Sequence, residues 1–269
     1  LMVVKKYELK VKNFSKVNWI GFKTLLLKEV SRFMIVWAQT ILSPLVSSLL
    51  FLLVLSLAIG NERGLVLGLP FITFLAPGLI VMSIIQQAFS HSVSSIMIAK
   101  IQGNIVDTLM APLSATEVTL AVVLASVIRS FIILIISIII FSFITDIYIH
   151  NILFIFIGSF LGSFILGILG FITGQYALKF DHTATVTNFI ITPASFLSGV
   201  FYTTDNLPSF FQSISQWNPF FYIIDITRFG FLGVSDGSVS FGLIYLTIIA
   251  FILWLLCWYL YLIGWKLKN

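Results

Sequence analysis

Hydroxyl and amide side chains recur every three or four residues within two of the most apolar stretches of this chain. Residues at this spacing lie on one face of a helix. Hydrogen-bonding groups that face lipid are costly, so each row should face protein or water. Hydrogen bonds between packed helices would explain the rows, and so would the lining of a path across a membrane. The first row is Gln39, Ser43 and Ser47, and the second is Ser83, Gln87, His91 and Ser94. All of these except Ser94 are candidates to line the path.

Motifs for catalysis or nucleotide binding do not accompany these rows. The sequence contains no G-x-x-x-x-G-K-[ST], no H-E-x-x-H and no G-x-S-x-G. Its acidic residues are scattered, so no proton-relay chain of the kind that pumps carry is indicated. His91 and the one cysteine, Cys257, are more typical of packed residues than of metal ligands. We therefore expect no catalytic, cofactor-binding or metal-binding residue in this chain.

The composition predicts that membrane spans position these rows. Of the 269 residues, 59% are hydrophobic and 9% are charged, and the mean hydropathy is +1.10. Soluble domains are about 25% charged, so the composition excludes a soluble fold. The longest apolar runs exceed the roughly 20 residues that cross hydrocarbon as a helix. We predict an all-α polytopic membrane protein with six spans, at about 37–60, 71–94, 117–144, 151–178, 184–203 and 240–263.

The distribution of basic residues predicts that both termini are cytoplasmic, because Lys and Arg favour cytoplasmic segments. With the N-terminus inside, the outer segments hold only Arg63 and Arg228. The net charge of +5 lies mostly near the N-terminus and does not indicate a nucleic-acid partner. The inner segments hold the N-terminal cluster through Arg32, followed by Lys100, Lys179, Lys266 and Lys268.

Residues 1–36 combine a basic arm, up to residue 18, with an amphipathic helix. Apolar residues recur there at spacings of three and four, which is typical of a helix that lies in the membrane interface. A helix packed on a soluble partner is the alternative. The apolar row is Trp19, Phe22, Leu26, Val30, Phe33 and Trp37, and Thr24, Lys28, Ser31 and Arg32 lie on the opposite face.

A polar segment at 101–117 interrupts the apolar sequence between the second and third spans. Pro112 should end a short amphipathic helix there. Ser114 and Glu117 form S-x-x-E before an apolar run, the signature of a capping box. The cytoplasmic hairpin 101–116 is either a well-capped connection or a docking element for a soluble partner. The apolar residues of its helix are Ile101, Ile105, Leu109 and Met110.

The aromatic segment 204–236 is broken about every ten residues. Asn218 and Pro219 indicate a turn or a helix start, and Gly230 and Gly233 should end the second of two short helices. Neither helix is long enough to cross a membrane, so we expect both to dip into the outer leaflet. The segment is either a lipid-facing loop or a lid over an outward exit, and Asp225 and Arg228 could pair within it. The candidate gate residues are Phe201, Tyr202, Phe211, Trp217, Asp225 and Arg228.

Two further features concern the packing of the spans. Arg129 lies within the third span, where a charged side chain should reach the interface or find a partner, and the sequence indicates no partner. Glycines recur at a spacing of four within the fourth span, which is typical of close helix packing. These glycines are Gly158, Gly162, Gly170 and Gly174.

Three stretches carry longer motifs. Residues 28–60 read KEVSRFMIVWAQTILSPLVSSLLFLLVLSLAIG. Residues 74–112 contain FLAPGLIVMSII, an SS pair, an AK pair and QGNIVDTLMAP. Residues 192–233 read TPASFLSGVFYTTDNLPSFFQSISQWNPFFYIIDITRFGFLG and are the most specific of the three. Together they resemble the permease subunits of ABC-2-type export systems, most closely the YadH-like bacterial inner-membrane permeases.

The resemblance implies the six-span ABC-2 fold, with an N-terminal interface helix and an extracytoplasmic re-entrant helix pair between spans five and six. It implies a multi-pass protein of the bacterial inner membrane that forms a homodimer and exports a drug-like, lipid or polysaccharide substrate. The resemblance also implies two copies of a separate ATP-binding cassette subunit. ATP and Mg would bind to that subunit, so this chain would hold no cofactor and would not itself be an enzyme. Residues 102–111 would be the coupling helix, with contacts through Gln102, Asn104, Ile105, Asp107, Thr108, Leu109 and Pro112.

Two other functions stay open. A self-powered secondary transporter or channel would work without an ATPase and should carry a titrating carboxylate within a span. A membrane-embedded enzyme that acts on lipid would need a reactive cluster at an interface, for which Asp205, Asp225 and Arg228 are the candidates.

Overall fold

The computed structural model describes residues 17–59, 64–204 and 207–267, and the fold over these residues is all-helical. Most of the predicted basic arm, together with Arg63, Asp205 and Lys268, lies outside them. Two π-helical turns, Ala38–Leu42 and Thr187–Ile191, precede α2 and α8. The helices are α1 (Trp19–Ile35), α2 (Ser43–Ile59), α3 (Phe71–Ile101), α4 (Ile105–Met110), α5 (Ala115–Phe141), α6 (Ile152–Tyr176), α7 (Phe180–Val186), α8 (Thr192–Phe196), α9 (Ser209–Trp217), α10 (Pro219–Leu232) and α11 (Val239–Leu262).

Five helical segments in the described part of the chain are long and apolar enough to cross a membrane. The predicted span at 184–203 is not among them, because its helical run of α7, the π-helical turn and α8 ends at Phe196. The prediction of an all-α polytopic membrane protein is confirmed, and the sixth span stays a prediction. The five segments are Ala38–Ala58, Phe71–Ile101, Ala115–Phe141, Ile152–Tyr176 and Val239–Leu262.

The central helix is α3, most of which is buried within the protein, whereas α2 and α11 expose most of their apolar surface. The predicted glycine ridge of α6 packs against α3 and α10. A Cβ added to Gly158 would lie within 3.0 Å of Thr227 on α10, and one added to Gly170 would lie as close to the carbonyl oxygen of Phe89 on α3. The other two glycines of the ridge approach the same two helices. Only glycine permits α6 to approach α3 and α10 this closely, and the close packing holds the three helices together.

The buried face of α1 differs from the predicted apolar face. Leu25, Glu29 and Phe33 are buried, whereas Trp19 and Trp37, at the two ends of the predicted row, are 69% and 54% exposed. The reason is that α1 packs along α5, and this contact selects the inward face. The apolar side chains that remain outside are those that an interfacial helix would present to lipid.

Two short helices, α9 and α10, occupy the segment that was predicted to hold such a pair. The Asn218 side chain accepts a hydrogen bond of 3.0 Å from a backbone N–H in the first turn of α10. Gly233, at φ 73°, ends this helix in the left-handed conformation. Gly230 lies inside α10 and not at its end. Its lack of a side chain lets Ile155 of α6 approach the helix closely there. The depth of the pair in a membrane stays a prediction.

Candidate functional site

The first predicted polar row and two residues of the second line one cavity between α2 and α3, with a volume of about 310 Å³. We call it the serine–glutamine cavity. Five of the six predicted path residues line it, together with Ser48 and Gln86, which the helical spacing did not single out. Its polar lining is Gln39, Ser43, Ser47, Ser48, Ser83, Gln86 and Gln87.

A second cavity, of about 620 Å³, adjoins the first, and Gln39 and Gln87 line both. We call it the arginine cavity, because Arg32 and Arg129 are the charged side chains that line it. Among the described residues, no acidic side chain lines either cavity. The pair of cavities therefore combines polar and apolar side chains and is positive at one end.

The two cavities follow α3 over nearly the thickness of a membrane. Their lining on this helix runs from Leu79 to Ile98. At 1.5 Å per residue this distance is about 29 Å, and the hydrocarbon core of a bilayer is about 30 Å thick. The hydrogen-bonding side chains in this lining lie between Ser83 and Ser94 and cover about 17 Å of this length.

Arg129 occupies the junction of the two cavities. Its guanidinium donates hydrogen bonds from Nε and Nη2 to the Thr40 carbonyl, at 3.2 Å and 2.8 Å, and from Nη2 to Oε1 of Gln87. Thr40 lies in the π-helical turn Ala38–Leu42, where an N–H donates to the carbonyl five residues earlier, as Ser43 does to Ala38. Arg129 on α5 thus bonds the chain at this irregular turn before α2. The sequence did not indicate this partner, because 89 residues separate the two positions.

His91, the sixth predicted path residue, lines the arginine cavity but is almost fully buried. Its Nε2 lies 3.8 Å from a carboxylate oxygen of Glu29, and its ring packs edge-on against Phe33. The Glu29 carboxylate also accepts hydrogen bonds from Ser95, at 2.8 Å, and from Arg32, at 3.1 Å. Sequence reasoning missed Glu29 and placed Arg32 on the polar face. A helical face counted from Leu25 through Phe33 would have included Glu29.

The hairpin between α3 and α5 has an inner side that packs on the chain and an outer side that is exposed. Gly103, at φ 76°, turns the chain out of α3. The short helix begins at Ile105 and not near residue 101, because α3 continues to Ile101. Of the apolar residues on α4, Met110 and Val106 are 81% and 52% exposed.

The predicted contact residues of the hairpin divide between these two sides. Ile105 is 7% exposed and packs with α1 and α5, and Leu109 is half-buried in the same cluster. They therefore anchor α4, and its exposed apolar side chains are Val106 and Met110. Thr108 is half-buried, and the remaining predicted residues, Gln102, Asn104, Asp107 and Pro112, are exposed.

Glu117 joins the hairpin to α1 and α5. The predicted capping box is confirmed, because Ser114 Oγ accepts from the Glu117 N–H and the Glu117 carboxylate accepts from the Ser114 N–H at 2.6 Å. The same carboxylate accepts from the Asn18 N–H, at 2.5 Å, at the start of α1. Asn18 in turn donates to the Pro112 carbonyl at 3.0 Å. A groove of about 360 Å³ between α1 and α4 is lined by Asp107 and Pro112, among others.

The predicted gate residues lie apart in the structure. Phe201 lines the serine–glutamine cavity, with its ring centroid 5.6 Å from that of Phe51 and 5.7 Å from that of Phe196. Tyr202 donates to the Phe196 carbonyl at 3.1 Å. The side chains of Phe211 and Trp217 on α9 are exposed. An aromatic cluster thus borders the cavity, with α9 outside it.

Asp225 and Arg228 do not form the predicted ion pair. Asp225 accepts backbone hydrogen bonds from Asp236, at 2.7 Å, and Gly237, at 3.1 Å, which tie the loop before α11 to α10. Burial raises the pKa of the Asp225 carboxyl, and these hydrogen bonds and the nearby Arg228 charge oppose the rise.

Arg228 is fully buried and points to other partners. It donates to the Gly199 carbonyl at 2.7 Å and lies 4.0 Å from the ring centroid of Phe74. It therefore connects α10 to α3 and to the turn after α8. No cluster of three or more potential metal ligands occurs within the described ranges.

Comparison with known proteins agrees with this arrangement. Residues 20–232 match the family model described as ABC-2 type transporter. The chain is 33% identical over 253 residues to the inner membrane transport permease YadH of Escherichia coli K12. The aligned residues cover 93% of this chain and 98% of that protein. The YadH proteins of Escherichia coli O157:H7 and Shigella flexneri match to the same extent.

Proposed function

The chain belongs to the ABC-2 type transporter family, and on that premise we propose that it is the membrane subunit of an exporter that a separate ATP-binding subunit drives. The observation that carries the proposal is the hairpin. It presents exposed polar residues at its tip, yet two packed residues and a capping box hold it to the body of the protein.

We assign the outer side of α4 as the surface that the ATP-binding subunit contacts. Asn104 and Asp107 would supply polar contacts, and Val106 and Met110 would supply apolar ones. The Glu117 carboxylate accepts hydrogen bonds from both the hairpin and the start of α1. A movement of α4 caused by the ATP-binding subunit would therefore move α1 and α5 together. Twelve residues further along α5, Arg129 holds the junction of the two cavities.

In this proposal, the two cavities form the path, and the aromatic cluster of Phe51, Phe196 and Phe201 is its gate. The helical run from α7 to α8 would be the fifth of six spans, with α9 and α10 as the re-entrant pair. Two copies of the chain would assemble with two ATP-binding subunits in the inner membrane, with both termini cytoplasmic. The substrate would be of the drug-like, lipid or polysaccharide class.

A charge reversal on the hairpin tests the coupling. Asp107 is exposed, so Asp107→Arg should fold and insert normally. We expect the variant to lose the ATP-binding subunit on co-purification and to lose ATP turnover linked to transport. Asp146→Arg, the same change in the loop between α5 and α6 at the opposite end of α5, is the matched control.

If the Asp107→Arg complex purifies intact with normal coupled turnover, the hairpin is not the contact surface. Export at the wild-type rate by cells that lack the ATP-binding subunit would instead indicate a self-powered transporter.

A further inference from the structure

Arg129 is a buried cation with hydrogen-bonding capacity to spare. Its side chain is 6% exposed, and both of its acceptors, the Thr40 carbonyl and the Gln87 amide, are uncharged. Its Nη1 makes no hydrogen bond to any residue in the described ranges. Arginine presents its donors as a fork that matches the oxygens of a carboxylate or phosphate. One arm of this fork therefore has no hydrogen-bond partner among the described residues.

The arginine cavity carries an excess of one positive charge. Arg32, its other basic residue, is matched by the Glu29 carboxylate at 3.1 Å, whereas Arg129 has no such counter-ion. No acidic side chain among the described residues lines this cavity. An unmatched charge at membrane depth is costly, and in surroundings of low dielectric constant it attracts an anion strongly. The cavity thus favours anions and disfavours cations.

The guanidinium is also held in place before any ligand arrives. The Thr40 carbonyl receives Nε and Nη2, and Gln87 fixes the same Nη2 from α3. A donor whose position is fixed in advance loses little entropy when it binds. Beyond it, the serine–glutamine cavity offers uncharged hydroxyls and amides beside apolar side chains such as Phe51 and Phe201.

From these observations we infer that the arginine cavity is an oxyanion-binding site, which takes a phosphate or carboxylate group on a molecule whose remaining part is neutral and polar. The neutral part would lie against the serine–glutamine cavity. That the molecule is the exported substrate rests on the proposed function, whereas the binding itself does not.

The test measures binding to the purified full chain in dodecyl maltoside, a neutral detergent, without any ATP-binding subunit. Each probe is paired with a compound that lacks the anionic group. Dioleoyl phosphatidic acid is compared with dioleoylglycerol, and glucose 1-phosphate and glucuronate are compared with glucose. Binding of the lipid probe indicates a lipid source for the oxyanion, and binding of a sugar probe indicates a water-soluble source.

Two sets of variants locate the site. Arg129→Gln should weaken binding of the anionic probe at least tenfold, which corresponds to about 1.4 kcal/mol, whereas Arg129→Lys should retain part of the affinity. Because a change at Arg129 could impair folding, Ser90 supplies the second set. Ser90 is an exposed residue that lines the arginine cavity, so Ser90→Glu should repel the anion while Ser90→Gln, of nearly equal size, should not. Lys23→Gln, in an exposed position away from both cavities, controls for net charge.

Three results would overturn the inference. These are the failure of all three anionic probes to bind, equal binding of each probe and its neutral counterpart, or equal affinity of Ser90→Glu and Ser90→Gln.

In the complete complex, the bound probe should also raise ATP turnover in the wild type but not in Ser90→Glu. Binding without any effect on turnover would refute only the role as substrate. The Asp107→Arg experiment is independent of these measurements, so the two proposals can fail separately.

Discussion

Removal of the Glu117 carboxylate should loosen the junction of α1, α4 and α5. Glu117→Ala leaves the backbone N–H groups of Asn18 and Ser114 without the acceptor that they reach at 2.5 Å and 2.6 Å. A hydrogen bond to a charged group contributes about 1.5–3 kcal/mol. The lower value applies here, because the hairpin lies at the surface and water can reach the freed groups. Two such bonds give a loss of about 3 kcal/mol in the free energy of local opening.

Amide hydrogen exchange measures this loss directly. A change of about 3 kcal/mol should raise the exchange rate at the start of α1 and in the hairpin by roughly a hundredfold. The interior of α6 should exchange at the wild-type rate. Glu117→Gln should give an intermediate increase, because the amide keeps one acceptor oxygen. Thr116→Ala, in the same helical turn and without a side-chain hydrogen bond to a described residue, is the matched control.

Exchange rates in Glu117→Ala that match those of Thr116→Ala would refute the reasoning, because the carboxylate would then not hold the junction. An increase of similar size throughout the protein would also refute it. That result would mean that Glu117 stabilises the whole fold and not this junction. We further expect fewer substrate molecules moved per ATP in Glu117→Ala, since α4 would no longer move together with α1 and α5.

Two other predictions concern packing and capping. Gly170→Ala should destabilise the protein by about 1–3 kcal/mol, because the added Cβ would lie within 3.0 Å of the Phe89 carbonyl oxygen. Gly64→Ala is the control, since its Cβ would meet no atom of a described residue within 4 Å. Equal melting temperatures for these two variants would contradict the packing argument. Asn218→Ala should cost about 1–2 kcal/mol, because it removes the cap of α10 and a hydrogen bond of 2.8 Å to the Ala194 carbonyl. Asn218→Asp keeps only the cap, and its melting temperature should lie between those of Asn218→Ala and the wild type. A melting temperature equal to that of Asn218→Ala would argue against the cap.

The sequence predicted those features whose causes lie within a few residues of each other. The capping box needs only Ser114 and Glu117, three positions apart, and it forms as predicted. The start of α10 at Asn218 and its end at Gly233 are equally local. The apolar runs located five spans for the same reason, since the cost of exposing backbone polar groups to lipid depends on length and composition alone.

The sequence failed where two elements must meet. The spacing of Asp225 and Arg228 predicted an ion pair, but the loop before α11 and the turn after α8 offer backbone partners that compete for both side chains. The sequence likewise did not indicate that α1 packs along α5 with Leu25, Glu29 and Phe33 buried, so Glu29 was missed. Helical periodicity gives the face that is apolar, but it cannot tell which part of that face meets protein and which meets lipid.

By itself, the sequence determined a polytopic helical protein, a capped hairpin and two rows of polar side chains. The family resemblance was also present in the sequence, and the comparisons confirm it. Only the tertiary structure decided that residues of both rows line one cavity, that Arg129 and Arg32 face a second cavity, and that Glu117 also caps α1. These facts depend on contacts between residues 42 to 99 positions apart. Local spacing carries no information about such contacts, because helix packing alone sets them.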